Sequence, residues 1–157
     1  MKSEGVLEKL FDGFPLAFIV FFLVMWVGIV KIVSFVSGWN ILTKLYKKQD
    51  EFTGKKWHFQ SLSSNSANYS GCVTFGANNE DMFIGVLFPF RVGHPDLVIP
   101  LREITGKEYK AMFLGISIYE NVKLTFTREP SICFTITKKL ANKIEEESNG
   151  VWKYLRG

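Results

Sequence analysis

Hydrophobic and polar positions divide this chain into one long apolar block and a series of short alternating runs. Residues 14–36, FPLAFIVFFLVMWVGIVKIVSFV, are almost wholly apolar, and no residue from 14 to 30 is charged. About 20 apolar residues in helical form cross the roughly 30 Å hydrocarbon core of a bilayer. A helix also satisfies its own backbone polar groups there. The pattern predicts a transmembrane helix over 14–37. Ahead of it, in a tail over 1–13, Val6, Leu7, Leu10 and Phe11 recur at helical spacing among charges. They predict a short interfacial helix or a frayed end. After it, GWNILTKLYKKQ over 38–49 places Ile41, Leu42, Leu45 and Tyr46 on one helical face, with Lys44, Lys47 and Lys48 largely off it. This juxtamembrane amphipathic helix has two possible seats, the membrane surface or the following domain.

From residue 50 the pattern shortens. Trp57-His58-Phe59-Gln60 alternates as a half-buried strand does, and the Ser- and Asn-rich stretch 61–70 reads as a loop. Strand-like runs follow at 71–75, 82–88, 97–101, 108–113, 115–119, 122–127 and 132–136, with turn signals at 76–81, 90–95 and Glu129-Pro130. Pro100 implies a strand end or an edge position. At 137–147, TKKLANKIEEE, the period becomes helical, with Leu140, Ala141 and Ile144 as a narrow stripe and Thr137 as N-cap. Its lysines come early and its glutamates late, against the helix dipole. Asn149-Gly150 stops it, and VWKYLRG is left to extend onto the domain or the membrane. The expected fold class is α+β: a transmembrane helix, then six or seven short antiparallel strands closed by a C-terminal helix, with one soluble domain over 50–157.

Two other readings of 14–36 compete with a permanent anchor. A cleaved signal peptide wants a basic leader and a shorter apolar run. Here the leader carries Glu4, Glu8 and Asp12 against Lys2 and Lys9, although Val36-Ser37-Gly38 offers small residues for cleavage. A buried core helix is seldom apolar all round at this length. The anchor fits best. Phe14 and Trp26 lie in the bilayer on this reading, Lys31 snorkels to the headgroups, Trp39 joins the interfacial belt, and Pro15 falls in the first turn.

Charge sets orientation. Lys44, Lys47, Lys48, Lys55 and Lys56 follow the helix, and only Lys2 and Lys9 precede it. The side richer in lysine stays in the cytoplasm, so the domain is expected inside, on the cytoplasmic face of a cell inner (cytoplasmic) membrane. The formal net charge is +4, but residues 50–157 hold 13 Lys and Arg against 12 Asp and Glu. That balance argues against a nucleic-acid footprint, and topology with attraction to anionic lipid accounts for the basic membrane edge. Cys72 and Cys133 form no metal or CxxC spacing, and are expected as free buried thiols in a reducing compartment.

One string is more specific. GHPDLVIPLREI, over 93–104, resembles the apolar-Ile-Pro-x-x-x-Ile strand ending of PH-like and GRAM-like domains, and a similar string occurs in uncharacterised bacterial proteins, some anchored by a helix. SGCVTFGA at 70–77 and LFPFR at 87–91 support the likeness, which covers about 57–147. The resemblance implies a small PH-like β-barrel or sandwich serving as a lipid-, peptide- or protein-binding module. Residues 71–88 hold no Lys or Arg, so inositide binding is not implied.

Candidate chemistry is sparse. His58 and His94 lack a second ligand at metal spacing. His94, in its Gly-His-Pro loop, is a turn-stabilising imidazole or, on the sharper reading, a base near Arg91, Asp96, Arg102 or Glu103. Cys72 sits in no nucleophile elbow. Phe83, Phe88, Pro89 and Phe90 form a core wall or a binding patch. Arg91, His94, Arg102 and Glu103 are therefore the ligand-site candidates, with no catalytic residue, metal or cofactor expected. The expectation is a non-enzymatic single-pass protein displaying a binding or scaffolding module. Its partners are the lipid bilayer and, as a further candidate, another membrane or cytoplasmic protein, with no nucleic acid. The alternatives are a membrane-tethered enzyme centred on His94 and an accessory subunit of a membrane complex.

Overall fold

Helix α1 runs without a break from Glu4 to Val36 in the computed structural model, which describes residues 4–46 and 51–157. Residues 47–50, with Lys47 and Lys48, and residues 1–3, with Lys2, lie outside the described residues. The helix expected ahead of the apolar block is continuous with it, because the helical spacing of 6, 7, 10 and 11 runs on into that block. Pro15 therefore lies inside α1, not in its first turn, where it costs one backbone hydrogen bond. Gly13–Val36 is long and apolar enough to cross a membrane, and only 6% of its most apolar window is buried. A core helix is mostly covered, and this one is not.

Gly38 reverses the chain between α1 and α2, Trp39–Leu45. Its φ of 80° lies in the left-handed region. A Cβ there would also meet Ile132 Cδ1 at 2.6 Å. The reversal turns Trp39, Leu42 and Tyr46 into the domain, so α2 packs on the following domain instead of lying on a membrane surface.

Seven strands follow: β1 Lys55–Ser64, β2 Asn68–Ala77, β3 Asp81–Val86, β4 Leu97–Pro100, β5 Ile104–Phe113, β6 Ile116–Phe126 and β7 Glu129–Thr137. A 3-10 turn, Leu101–Glu103, joins β4 to β5. Helix α3, Lys138–Glu147, and β8, Tyr154–Leu155, complete the chain. The sheet order is β4-β3-β2-β1-β7-β6-β5-β8, antiparallel throughout except for the parallel β5–β8 pair. Helix α3 touches β2, β6 and β7.

Several local readings change. The stretch 61–70 is mostly strand: Ser63 pairs with Asn68, the tight turn is held by Ala67 N–H donating to Ser64 Oγ at 3.1 Å, and Leu62 and Tyr69 point inward. Serine and asparagine outside hid two buried residues inside. In β1 a bulge at Phe59, φ 57°, turns its ring outward instead of into the half-buried face. The turn expected at 76–81 narrows to 78–80, where Asn78 Oδ1 accepts from Glu80 N–H at 2.8 Å and Asp81 N–H at 2.7 Å. Residues 116–126 form one strand, not two. Glu129 opens β7, and Pro130 sits where the β6–β7 register slips, a position that needs no ladder donor. Pro100 ends the edge strand β4.

Thr137 caps α3, its hydroxyl oxygen accepting from Leu140 N–H at 3.3 Å. Leu140, Ala141 and Ile144 are buried. The C-terminal segment packs on the domain: Trp152 and Tyr154 are buried, and Trp152 Nε1–H donates to the Ile104 carbonyl at 3.0 Å. Cys72 and Cys133 are free and half-buried, and burial pushes the Cys72 thiol up from its ordinary range.

Candidate functional site

The densest polar cluster lies where α1 meets the sheet. Ser34 and Ser37 are one turn apart on α1 and its exit, so their hydroxyls share a face. Ser34 Oγ–H donates to the Gly93 carbonyl. Ser37 Oγ–H donates to the Ser34 carbonyl at 3.1 Å. The Tyr69 hydroxyl, from β2, lies 2.9 Å from Ser37 Oγ and 2.8 Å from His94 Nε2. His94 Nδ1 faces the Val92 carbonyl, which can only accept, at 3.3 Å. A neutral ring protonated at Nδ1 serves the Val92 carbonyl, while the single Tyr69 proton is donated to Ser37 Oγ, whose own proton goes to the Ser34 carbonyl.

Trp39 closes the cluster. It is fully buried, its indole N–H donates to the Pro95 carbonyl at 2.9 Å, and its ring packs on His94, Tyr69 and Phe134 with centroids 5.3, 5.8 and 5.8 Å away. Its assignment to the interfacial belt is thus corrected: the Gly38 reversal carries it into the core. His94 is 1% exposed, and burial pushes its imidazole below the ordinary range while the Val92 and Phe90 carbonyls oppose that shift. It is neutral near pH 7. Burial likewise raises the Tyr69 phenol.

The loop between β3 and β4 runs beside α1. Gly93, φ 78°, lies against Lys31 and Ser34, where an added Cβ would come within 3.5 Å of the Lys31 backbone. Further along, Phe90 meets Trp26 at 5.2 Å, and Trp26 stacks on Phe22 at 6.1 Å. Phe14 and Lys31 are exposed. Of the aromatic patch, Phe83 is buried while Phe88 and Phe90 are exposed.

The four ligand-site candidates separate. His94 points inward. Arg91 pairs with Asp96 at 2.6 Å beside a groove of about 510 Å³ that Lys56, His58 and Phe88 also line. His58 Nδ1 lies 2.9 Å from Thr74 Oγ1. Glu103 takes Arg128 in a two-point pair, Nη2 to Oε1 at 3.0 Å and Nε to Oε2 at 2.8 Å. Arg128 also donates to the Leu45 carbonyl at 3.0 Å and lies over the Tyr46 ring, so this pair clamps the end of α2. Arg102 lines a different cavity, of about 670 Å³, with Arg128, Asp81 and Val98. Among the described residues no group of three or more His, Cys, Asp or Glu could hold a metal ion.

Tyr69 and Ser34 carry no mark of this site in the sequence, and Ser37 stands there only as a small residue suited to cleavage. The available signal was two serines three apart at the end of an otherwise apolar run. The cluster joins the end of a long apolar helix to a β domain through buried, hydrogen-bonded groups. The sequence matches no protein-family model and no curated protein.

Proposed function

We propose that this chain is a single-pass membrane protein whose PH-like β domain serves as a binding or scaffolding module at the membrane surface, on the cytoplasmic side of an inner membrane. The junction carries this reading. A cleaved leader would be expected to leave its domain whole, yet cutting near Ser37 would remove the partners of Tyr69 and Gly93 and free the chain that seats Trp39. A spanning helix built into the domain explains why polar residues at its end are buried while its apolar flanks are bare. The antiparallel succession from β1 to β7, with β1 paired to β7 and a helix directly after, supports the PH-like assignment. The lysines after the helix support the cytoplasmic side. Partners on this reading are the bilayer and a further membrane or cytoplasmic protein.

The test is thiol labelling of Lys153→Cys, placed on the domain surface in a Cys72→Ala, Cys133→Ser background. An impermeant reagent should label it in inverted inner-membrane vesicles and not in intact spheroplasts. The opposite pattern overturns the orientation. Turnover of an ester, phosphate or peptide panel by the full chain contradicts a purely binding role.

A further inference from the structure

The β3–β4 loop, which meets the apolar helix through Phe90, carries a bare aromatic residue two positions earlier, at Phe88. Phe88 is 87% exposed, Pro89 is exposed, and Phe90 is 37% exposed even with Trp26 packed against it. Exposed rings at the end of a sheet ordinarily mark a surface that something covers. Their height along α1 says what. Lys31 is the charge within the apolar block, and its ammonium belongs at the headgroups. Trp26 lies five residues further toward the centre of the block, which at about 1.5 Å per residue is roughly 7 Å deeper. Phe90 is at the level of Trp26, and Gly93 is at the level of Lys31. The loop thus climbs from the headgroup level into the layer where interfacial apolar groups bury by about 5–10 Å. If the boundary were drawn lower, at Val36, the loop would sit deeper still.

The loop backbone is partly paired at that depth. Carbonyls and amides in the acyl region need partners. The loop supplies some of them through two tight turns: Phe90 N–H donates to the Leu87 carbonyl at 2.9 Å, and His94 N–H to the Arg91 carbonyl at 3.0 Å. Leu87 N–H donates to the Cys72 carbonyl at 2.8 Å, and Pro89 has no N–H to satisfy. Arg91 comes next, exposed and paired with Asp96, on the side of the loop that returns toward Gly93.

We propose that residues 87–92 form a membrane wedge, with Phe88, Pro89 and Phe90 inserted among the lipid chains of the leaflet that faces the domain. This rests on the spanning reading of α1. The wedge gives the domain a second hold on the bilayer, so it stands in one orientation instead of swinging below its anchor. The groove lined by Lys56, His58 and Arg91 then opens beside the lipid headgroups.

The test uses full-length protein in phosphatidylcholine–phosphatidylglycerol vesicles, with a bimane label on one cysteine at a time in the Cys72→Ala, Cys133→Ser background. Phe88→Cys probes the loop, Phe22→Cys probes the helix, and Leu114→Cys, on the exposed β5–β6 turn, probes the domain surface. Each replaces an exposed side chain, so folding is preserved. The proposal expects doxyl-lipid quenching of the labels at 22 and 88, and aqueous iodide quenching several-fold weaker at 88 than at 114. Lipid quenching at 22 with full iodide quenching at 88 overturns the wedge and leaves the anchor. A label at 88 shielded from both quenchers means that protein covers the loop, which also overturns it. No lipid quenching at 22 overturns the anchor and the wedge together.

Discussion

His94 is held neutral by its surroundings, so folding and proton uptake are linked. Its folded value lies below the ordinary value of 6.5. Below that pH the unfolded chain binds a proton that the folded chain resists. The contribution of the site is therefore full above about pH 6.5 and is lost as pH falls through the lower, folded value. The urea midpoint should drop between about pH 7.5 and about pH 5.5, and the drop should shrink in His94→Gln. His58 is exposed on Thr74 and remains as the same background in both proteins. Equal slopes in the two would remove His94 from the account. Trp39 carries more weight. Trp39→Ala should cost about 3–5 kcal/mol, whereas Trp39→Phe keeps most of the packing, leaves the Pro95 carbonyl unpaired and should cost about 1–3 kcal/mol. Thermal unfolding in detergent micelles measures both.

Among the elements, the α1–α2 corner is the least forgiving. Gly38→Ala must strain a left-handed backbone and push Ile132 aside, so it should lower the unfolding temperature well beyond what Gly13→Ala does, where an added Cβ meets nothing. Thr137→Ala should cost about 1 kcal/mol through the lost cap of α3. Elements with one strong local cause were legible in the chain: the apolar block of α1, the Thr137 cap with its apolar stripe, and Pro100 at the end of an edge strand. Elements decided by distant partners were not. Leu62 and Tyr69 are single inward residues in a polar run, and nothing local shows that the core and His94 claim them. The bulges at Phe59 and Pro130 follow from pairing with other strands, which a single run does not encode. Trp39 next to an apolar block looks interfacial until the Gly38 reversal is known. The four polar candidates are near one another in sequence, but His94 is claimed by the core and Arg91 by Asp96 at the surface, so they diverge.

For the whole molecule, the main consequence is that a bare apolar helix is tied to an eight-stranded sheet. Ser34 to Gly93, Ser37 to Tyr69 and Trp39 to Pro95 tie the two at several points, and the Glu103–Arg128 pair holds the far end of α2. On the proposed reading such a domain follows its helix, because loss of the chain through Ser37 would remove partners of Gly93 and Tyr69. That account is tested most directly by the intact mass and alkaline extraction of the protein from the membranes of cells that make it. It predicts a chain retaining residues 1–37 and remaining in the carbonate-washed pellet. A folded, freely soluble product lacking those residues would contradict it.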